Sequence, residues 1–142
     1  MNTVKRAFFI ACCCFAFNII SAQVGINTIL PMSTLDVNGN LSVKVVNLNG
    51  SAVATPIDDG IYISLNPLAN DQVFNLPNPT TYPGRTYILR NINNTNTAAL
   101  TTSAGLLFPK GSTTGSAIIY MYQNNNRTIF VMSDGFNWTY FN

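Results

Sequence analysis

Residues 127–141 read Arg-Thr-Ile-Phe-Val-Met-Ser-Asp-Gly-Phe-Asn-Trp-Thr-Tyr-Phe, two runs of aromatic and β-branched residues with Asp134-Gly135 between them. Such side chains suit a pleated, half-buried surface and the dipeptide suits a tight turn, so the stretch predicts a β-hairpin. A two-residue turn sets Ser133 opposite Phe136, Val131 opposite Trp138 and Ile129 opposite Tyr140. Ile129, Val131, Phe136, Trp138 and Tyr140 then share one face, the composition of a core. The other face carries Phe130, Met132 and Phe141 beside Thr128, Asn137 and Thr139. A sheet with one wet face divides more cleanly. This second face is therefore expected to be covered by another sheet, by the leading part of the chain or by a neighbouring copy, and Phe130, Met132 and Phe141 are candidate interface residues.

Upstream of the hairpin the pattern repeats. Short β-prone runs at 61–65, 72–76, 85–91, 98–102 and 117–122 are separated by segments rich in Asn, Pro, Gly, Ser and Thr, which punctuate strands rather than helices. No stretch after residue 22 carries a capped helical period. The expectation over 61–142 is an antiparallel β-sandwich or barrel of about seven strands, so the fold class is all-β. Residues 50–60, with Gly50-Ser51, Pro56 and Asp58-Asp59-Gly60, read as a connector. Before it, 23–49 form a short N-terminal β unit: Leu35, Val37, Leu41, Val43 and Val45 alternate strictly with polar residues. A two-residue turn at Asn38-Gly39 would mix the faces. A three-residue loop over 38–40 and a single strand kinked at Gly39 both preserve them.

The first 22 residues have the layout of a signal peptide: Lys5 and Arg6, an apolar stretch from Ala7 to Ile20, then Ser21-Ala22. That stretch is shorter than the roughly 18 to 20 residues of a membrane-spanning helix, so no membrane span is expected. Cleavage after Ala22 is expected to release an exported chain, destined for the cell surface or medium, with the periplasm as a third destination. All three cysteines, Cys12 to Cys14, lie in the leader, which removes disulfides and thiolate metal sites from the exported part. Lipidation at Cys12 is disfavoured, because too short an apolar run precedes it.

Charged residues make up 8% of the 142-residue chain, with seven Lys and Arg, five acidic residues and no histidine. Loss of Lys5 and Arg6 would leave five basic side chains facing five aspartates. Such a balance offers no basic surface for nucleic acid. Without histidine a Ser-His-Asp triad is impossible. No loop has the alternating acidic spacing of a calcium site, and Gly111 to Gly115 precedes a strand, whereas a phosphate loop precedes a helix. Asp58-Asp59 is the only adjacent carboxylate pair, and its position before Gly60 fits a turn. The chain thus reads as non-enzymatic, with no cofactor and no metal.

Val24-Gly25-Ile26-Asn27-Thr28, Pro31 and Leu35-Asp36-Val37-Asn38-Gly39-Asn40-Leu41 resemble a motif common in secreted and surface proteins of Bacteroidota and in phage tail-fibre-like proteins. Leu76-Pro77, Gly84-Arg85-Thr86-Tyr87, Leu89-Arg90-Asn91 and Ser133-Asp134-Gly135-Phe136-Asn137-Trp138 are similar to fibre-type β-domains. The resemblance implies a β-rich structural or adhesive module that self-associates, with a homotrimer among its expected states. The competing expectation is a monomeric carbohydrate-binding module. Tyr82, Tyr120, Tyr122, Trp138 and Tyr140 offer flat apolar faces for a glycan; Trp138 and Tyr140 fall on the core side of the hairpin, and Tyr82, between Pro79 and Pro83, is the surface candidate.

Overall fold

The structure, a computed structural model, describes residues 24–27, 29 and 35–142. The expected signal peptide over 1–22 lies outside the described residues. No described helix is long and apolar enough to cross a membrane. The chain divides into two units, up to Ser42 and from Val43 onward.

In the first unit β1 (Val24–Ile26) pairs in parallel with β2 (Leu35–Val37), Val24 beside Leu35 and Ile26 beside Val37. Asn38 N–H donates to Ile26 O and Asn27 Nδ2 to Asn38 O, closing the pair. Neither arrangement expected around Asn38-Gly39 is the one observed. The partner of β2 is the strand before it, because alternation reports which residues share a face and carries no information about which strand lies alongside.

The second unit is all-β, as the sequence indicates. Its strands are β3 (Val45–Asn49), β4 (Thr55–Pro56), β5 (Tyr62–Asn66), β6 (Gln72–Leu76), β7 (Thr86–Asn91), β8 (Ala98–Thr102), β9 (Leu107–Pro109), β10 (Ile118–Met121), β11 (Thr128–Ser133) and β12 (Trp138–Phe141). A single 3-10 turn, Pro79–Thr81, interrupts them. They form a six-stranded sheet in the order β3-β5-β7-β11-β12-β9 and a four-stranded sheet in the order β10-β8-β6-β4. The two sheets meet in one core, where Ile63, Leu65, Tyr87, Leu89, Val131 and Trp138 of the larger pack with Phe74, Leu76, Leu100 and Met121 of the smaller. This is a sandwich-like arrangement.

The strand pairing is mixed where antiparallel pairing was expected. From β3 to β8 the chain alternates between the sheets, so β3, β5 and β7 run parallel in one and β4, β6 and β8 run parallel in the other. The first half is therefore wound as coils. Only from β10 onward do antiparallel pairs appear, β10 on β8, β11 on β7 and β12 on β11. Short strands with brief connectors suggest hairpins, yet a connector that crosses to a second sheet and returns satisfies the same pattern. β3 and β4, which the sequence placed in the leading unit and in the connector, are edge strands of the two sheets. Pro56 suits such an edge, having no N–H to donate.

Side-chain amides bind the coils at one corner. Asn66 Nδ2 donates to Asn49 Oδ1 (2.9 Å), and Asn93 Nδ2 to Asn66 Oδ1 (3.2 Å) and Pro67 O (2.9 Å). Asparagine suits this ladder because each amide both donates and accepts. Beside it the fully buried Asn91 donates to Asn96 O (2.9 Å) and Met121 O (2.8 Å) and accepts from Asn93 N (3.0 Å).

The C-terminal hairpin is present with a longer turn. Ser133 pairs with Trp138 and Val131 with Tyr140, a slip of two residues from the expected register. Asp134 Oδ1 accepts from both Phe136 N (2.7 Å) and Asn137 N (2.6 Å), and Ser133 Oγ accepts from Gly135 N (3.1 Å). These bonds favour a four-residue loop. A slip of two preserves the faces, so Ile129, Val131 and Trp138 still point into the core, while Phe136 leaves it and is 75% exposed.

Candidate functional site

The outer face of the six-stranded sheet follows from its register. Val45 lies beside Tyr62, Tyr62 beside Ile88, Ile88 beside Phe130 and Phe130 beside Phe141. One apolar row thus crosses five strands, a span of roughly 19 Å at about 4.8 Å per step. Phe130 and Phe141 meet edge to face at 5.8 Å. Met132 stands in the adjoining row between Thr86 and Thr139. On the other flank Asn47, Ser64, Arg90 and Thr128 form a polar row. Val45 is 59% exposed, Met132 and Phe141 are exposed, and Tyr62, Ile88 and Phe130 are half-buried. The second hairpin face is therefore the outside of the sheet, and neither the other sheet nor any strand of this unit covers it.

Tyr82 belongs to a different surface. It follows the turn Pro79–Thr81, which Asn78 caps by accepting from Thr80 N (3.0 Å). A groove of about 750 Å³ runs past it, walled by Lys44, Asp58, Asp59, Arg85 and Thr86 among others. The groove borders the outer face, because Thr86 belongs to both. The Arg85 guanidinium stands 3.5 Å from the centre of the Tyr82 ring, a cation–π contact. Its Nη1 reaches the Tyr87 hydroxyl at 3.4 Å. Tyr82 is 37% exposed, so part of the ring remains open to a ligand.

The two groove carboxylates differ. Asp59 pairs with the Lys44 ammonium and accepts from Gly60 N (2.7 Å). The hydrogen bond from Lys44, and after it the one from Gly60, hold its pKa below the ordinary 3.8. Asp59 thus caps the backbone locally before Gly60, with an exposed ion pair added. Asp58 is also exposed and lines the groove. Burial raises the Tyr87 phenol above its ordinary 10.0, opposed by Arg85. The groove thus offers an aromatic ring, a guanidinium and carboxylates, with two cations balancing two anions. Such a surface suits a polar, uncharged ligand.

The four residues singled out from the sequence fall in two places. Phe130 and Phe141 are neighbours, Met132 is one row away, and Tyr82 lies in the groove. Sequence reasoning missed Arg85 as the partner of the Tyr82 ring, although a spacing of three residues around Pro83-Gly84 hints at a turn that brings them together. It also missed Arg127, whose guanidinium donates to Asn91 O (2.9 Å), Gln123 O (3.2 Å), Ile92 O (3.2 Å) and Asn94 Oδ1 (2.7 Å). That cation holds loops together. Trp138 is fully buried and donates from Nε1 to Pro77 O (3.1 Å), which makes it core. No protein-family model, no curated protein and no solved structure matches the chain.

Proposed function

We propose that this chain is an exported, non-enzymatic structural or adhesive module that works as an assembly of identical copies, with the homotrimer as the state to test first. The observation that carries this reading is the unbroken row Val45, Tyr62, Ile88, Phe130 and Phe141 across the outer face of the six-stranded sheet. Apolar side chains aligned over five strands favour removal from water, and contiguous exposed apolar surface marks interaction sites. A second copy presents the same row and, with Arg90 as the only charge in the flanking polar row, introduces little repulsion. Closed symmetry buries the same patch on every subunit.

Light scattering on the purified chain at several concentrations tests the reading. A molar mass above that of one chain is expected, falling to a single chain in Phe130→Ser at unchanged secondary structure. A single-chain mass for the unaltered protein at every concentration would refute it.

The Tyr82 groove supports a second reading, a carbohydrate-binding module. An exposed ring gives the apolar C–H face of a sugar somewhere to stack, and Arg85 and Asp58 supply a donor and an acceptor for its hydroxyls. Glycan binding by a single chain, abolished in Tyr82→Ala, would favour this reading over the first.

A further inference from the structure

The outer face of the four-stranded sheet carries a second aromatic surface. β10 is its edge strand and pairs only with β8. Met121 on β10 is fully buried in the core and Ile119 packs against it. By strand alternation Tyr120 and Tyr122 point outward. They remain 39% and 43% exposed. Their ring centres lie 6.3 Å apart with planes tilted by 32°. The register sets Tyr120 beside Ala99 and Ala99 beside Val73, so small or medium side chains adjoin the rings and leave them standing as a shelf.

A cavity of about 390 Å³ opens against this shelf, with Asp71, Thr95, Thr97 and Gln123 in its walls. That lies within the ~300–1,000 Å³ of small-molecule sites. Two of these residues hold acceptors that the chain does not use. Gln123 Oε1 is buried, and no donor among the described residues reaches it. Burying an acceptor unpaired costs about 1–3 kcal/mol, so native proteins rarely leave one without a purpose. The Asp71 carboxylate likewise has no partner among the described residues, although its backbone N–H is fixed by Thr97 O (2.8 Å). Asp71 has a φ of 62°, a left-handed conformation that aspartate and asparagine adopt more readily than other residues with a Cβ.

We propose that the Tyr120–Tyr122 shelf is a binding site for a neutral saccharide, stacked by the apolar face of a pyranose on the rings and hydrogen-bonded through its hydroxyls to Asp71 and to Gln123, whose buried, unpaired Oε1 turns out to the ligand by rotation of the side chain. The chemistry selects this class. The unused groups are acceptors, so the ligand must bring donors, which sugar hydroxyls supply. No basic residue lines the cavity, so the Asp71 carboxylate repels an anionic sugar. A quaternary ammonium would satisfy the rings and the carboxylate, but has no donor for Gln123. The proposal goes beyond self-association and does not depend on it, because the shelf lies on the other sheet.

Calorimetric titration of the full chain with tetrasaccharides of glucose, mannose and N-acetylglucosamine, with a uronic acid oligomer and with choline tests the site. At least one neutral tetrasaccharide is expected to bind, and Tyr120→Ala to weaken it tenfold or more. Gln123→Leu removes the unpaired acceptor at similar volume, so it should raise the melting temperature while weakening the sugar by a similar factor. A residue with only a packing role would not show that opposition. Asp71→Asn keeps a side chain that tolerates positive φ, and should bind several-fold more weakly without unfolding. The proposal is overturned if no neutral tetrasaccharide binds, if choline or the uronic acid oligomer binds in their place, or if Gln123→Leu and Asp71→Asn bind as the parent does. Loss of binding in Tyr82→Ala alone would move the site to the groove and equally overturn it. Molar mass measured on the same samples reports separately on self-association.

Discussion

Replacing Asn91 by leucine sets two forces against each other at one buried position. Asn91 lies beside Leu65, which lies beside Leu48, so the row on this face reads Leu, Leu, Asn. Packing alone predicts that a third leucine would stabilise the coils, by about 2 kcal/mol for one more buried apolar side chain. Hydrogen bonding predicts the opposite. The Asn91 amide serves Asn96 O, Met121 O and Asn93 N. Met121 is fully buried, so its carbonyl would carry about 2 kcal/mol of the loss, and the two loop groups, nearer to water, about 1 kcal/mol each. The losses come to about 4 kcal/mol against a gain of about 2, leaving Asn91→Leu less stable by about 2 kcal/mol. Equilibrium urea unfolding of the full chain, followed by far-UV circular dichroism, measures this as a lower midpoint at unchanged slope. A midpoint equal to or above the parent's would refute the reasoning, and would mean that the amide contributes nothing beyond its volume.

Other sites give further expectations. Trp138→Ala should cost about 3–5 kcal/mol, as other large aromatic truncations in cores do; unaltered thermal stability would place the indole outside the core. Gly105→Ala should destabilise by more than about 2 kcal/mol, since Gly105 has a φ of 71° and a Cβ there would sit 2.2 Å from Phe136 O; a melting temperature equal to the parent's would contradict the close approach. Because the pKa of Asp59 is lowered, any stability it adds is complete above 3.8 and disappears as the pH falls through its lower folded value. Lys44→Met should move its NMR titration midpoint up toward 3.8, and an unmoved midpoint would exclude the ion pair as the cause. Burial raises Tyr87, so stability should decline as the pH climbs above about 10, and Tyr87→Phe should flatten that decline.

Where a property depended on which side chains share a face, it was legible in the sequence. Strand periodicity located Gln72–Leu76 and Ala98–Thr102 at their observed bounds, and the hairpin pattern separated Ile129, Val131 and Trp138 from Phe130, Met132 and Phe141. The apolar outer face of the hairpin was therefore legible in the sequence. Its extent was not, because Val45, Tyr62 and Ile88 join the row only through parallel pairings between strands distant in sequence. Val45 and Tyr62 are seventeen positions apart in the chain, and Tyr62 and Ile88 twenty-six. Coils of such unequal length leave no repeat to detect.

The sequence by itself determined the all-β class, the burial of Trp138, the apolar second face of the hairpin and the surface position of Tyr82. Each follows from residue type and a period of two, which act within a few residues. Only the tertiary structure decided the parallel coiling between two sheets, the four-residue loop after Ser133, the Arg85 cover on Tyr82 and the shelf over Asp71 and Gln123. Those depend on which segments meet across long separations and on where side-chain hydrogen bonds close, and chemical pattern along the chain leaves several such pairings equally well satisfied until the whole core is packed.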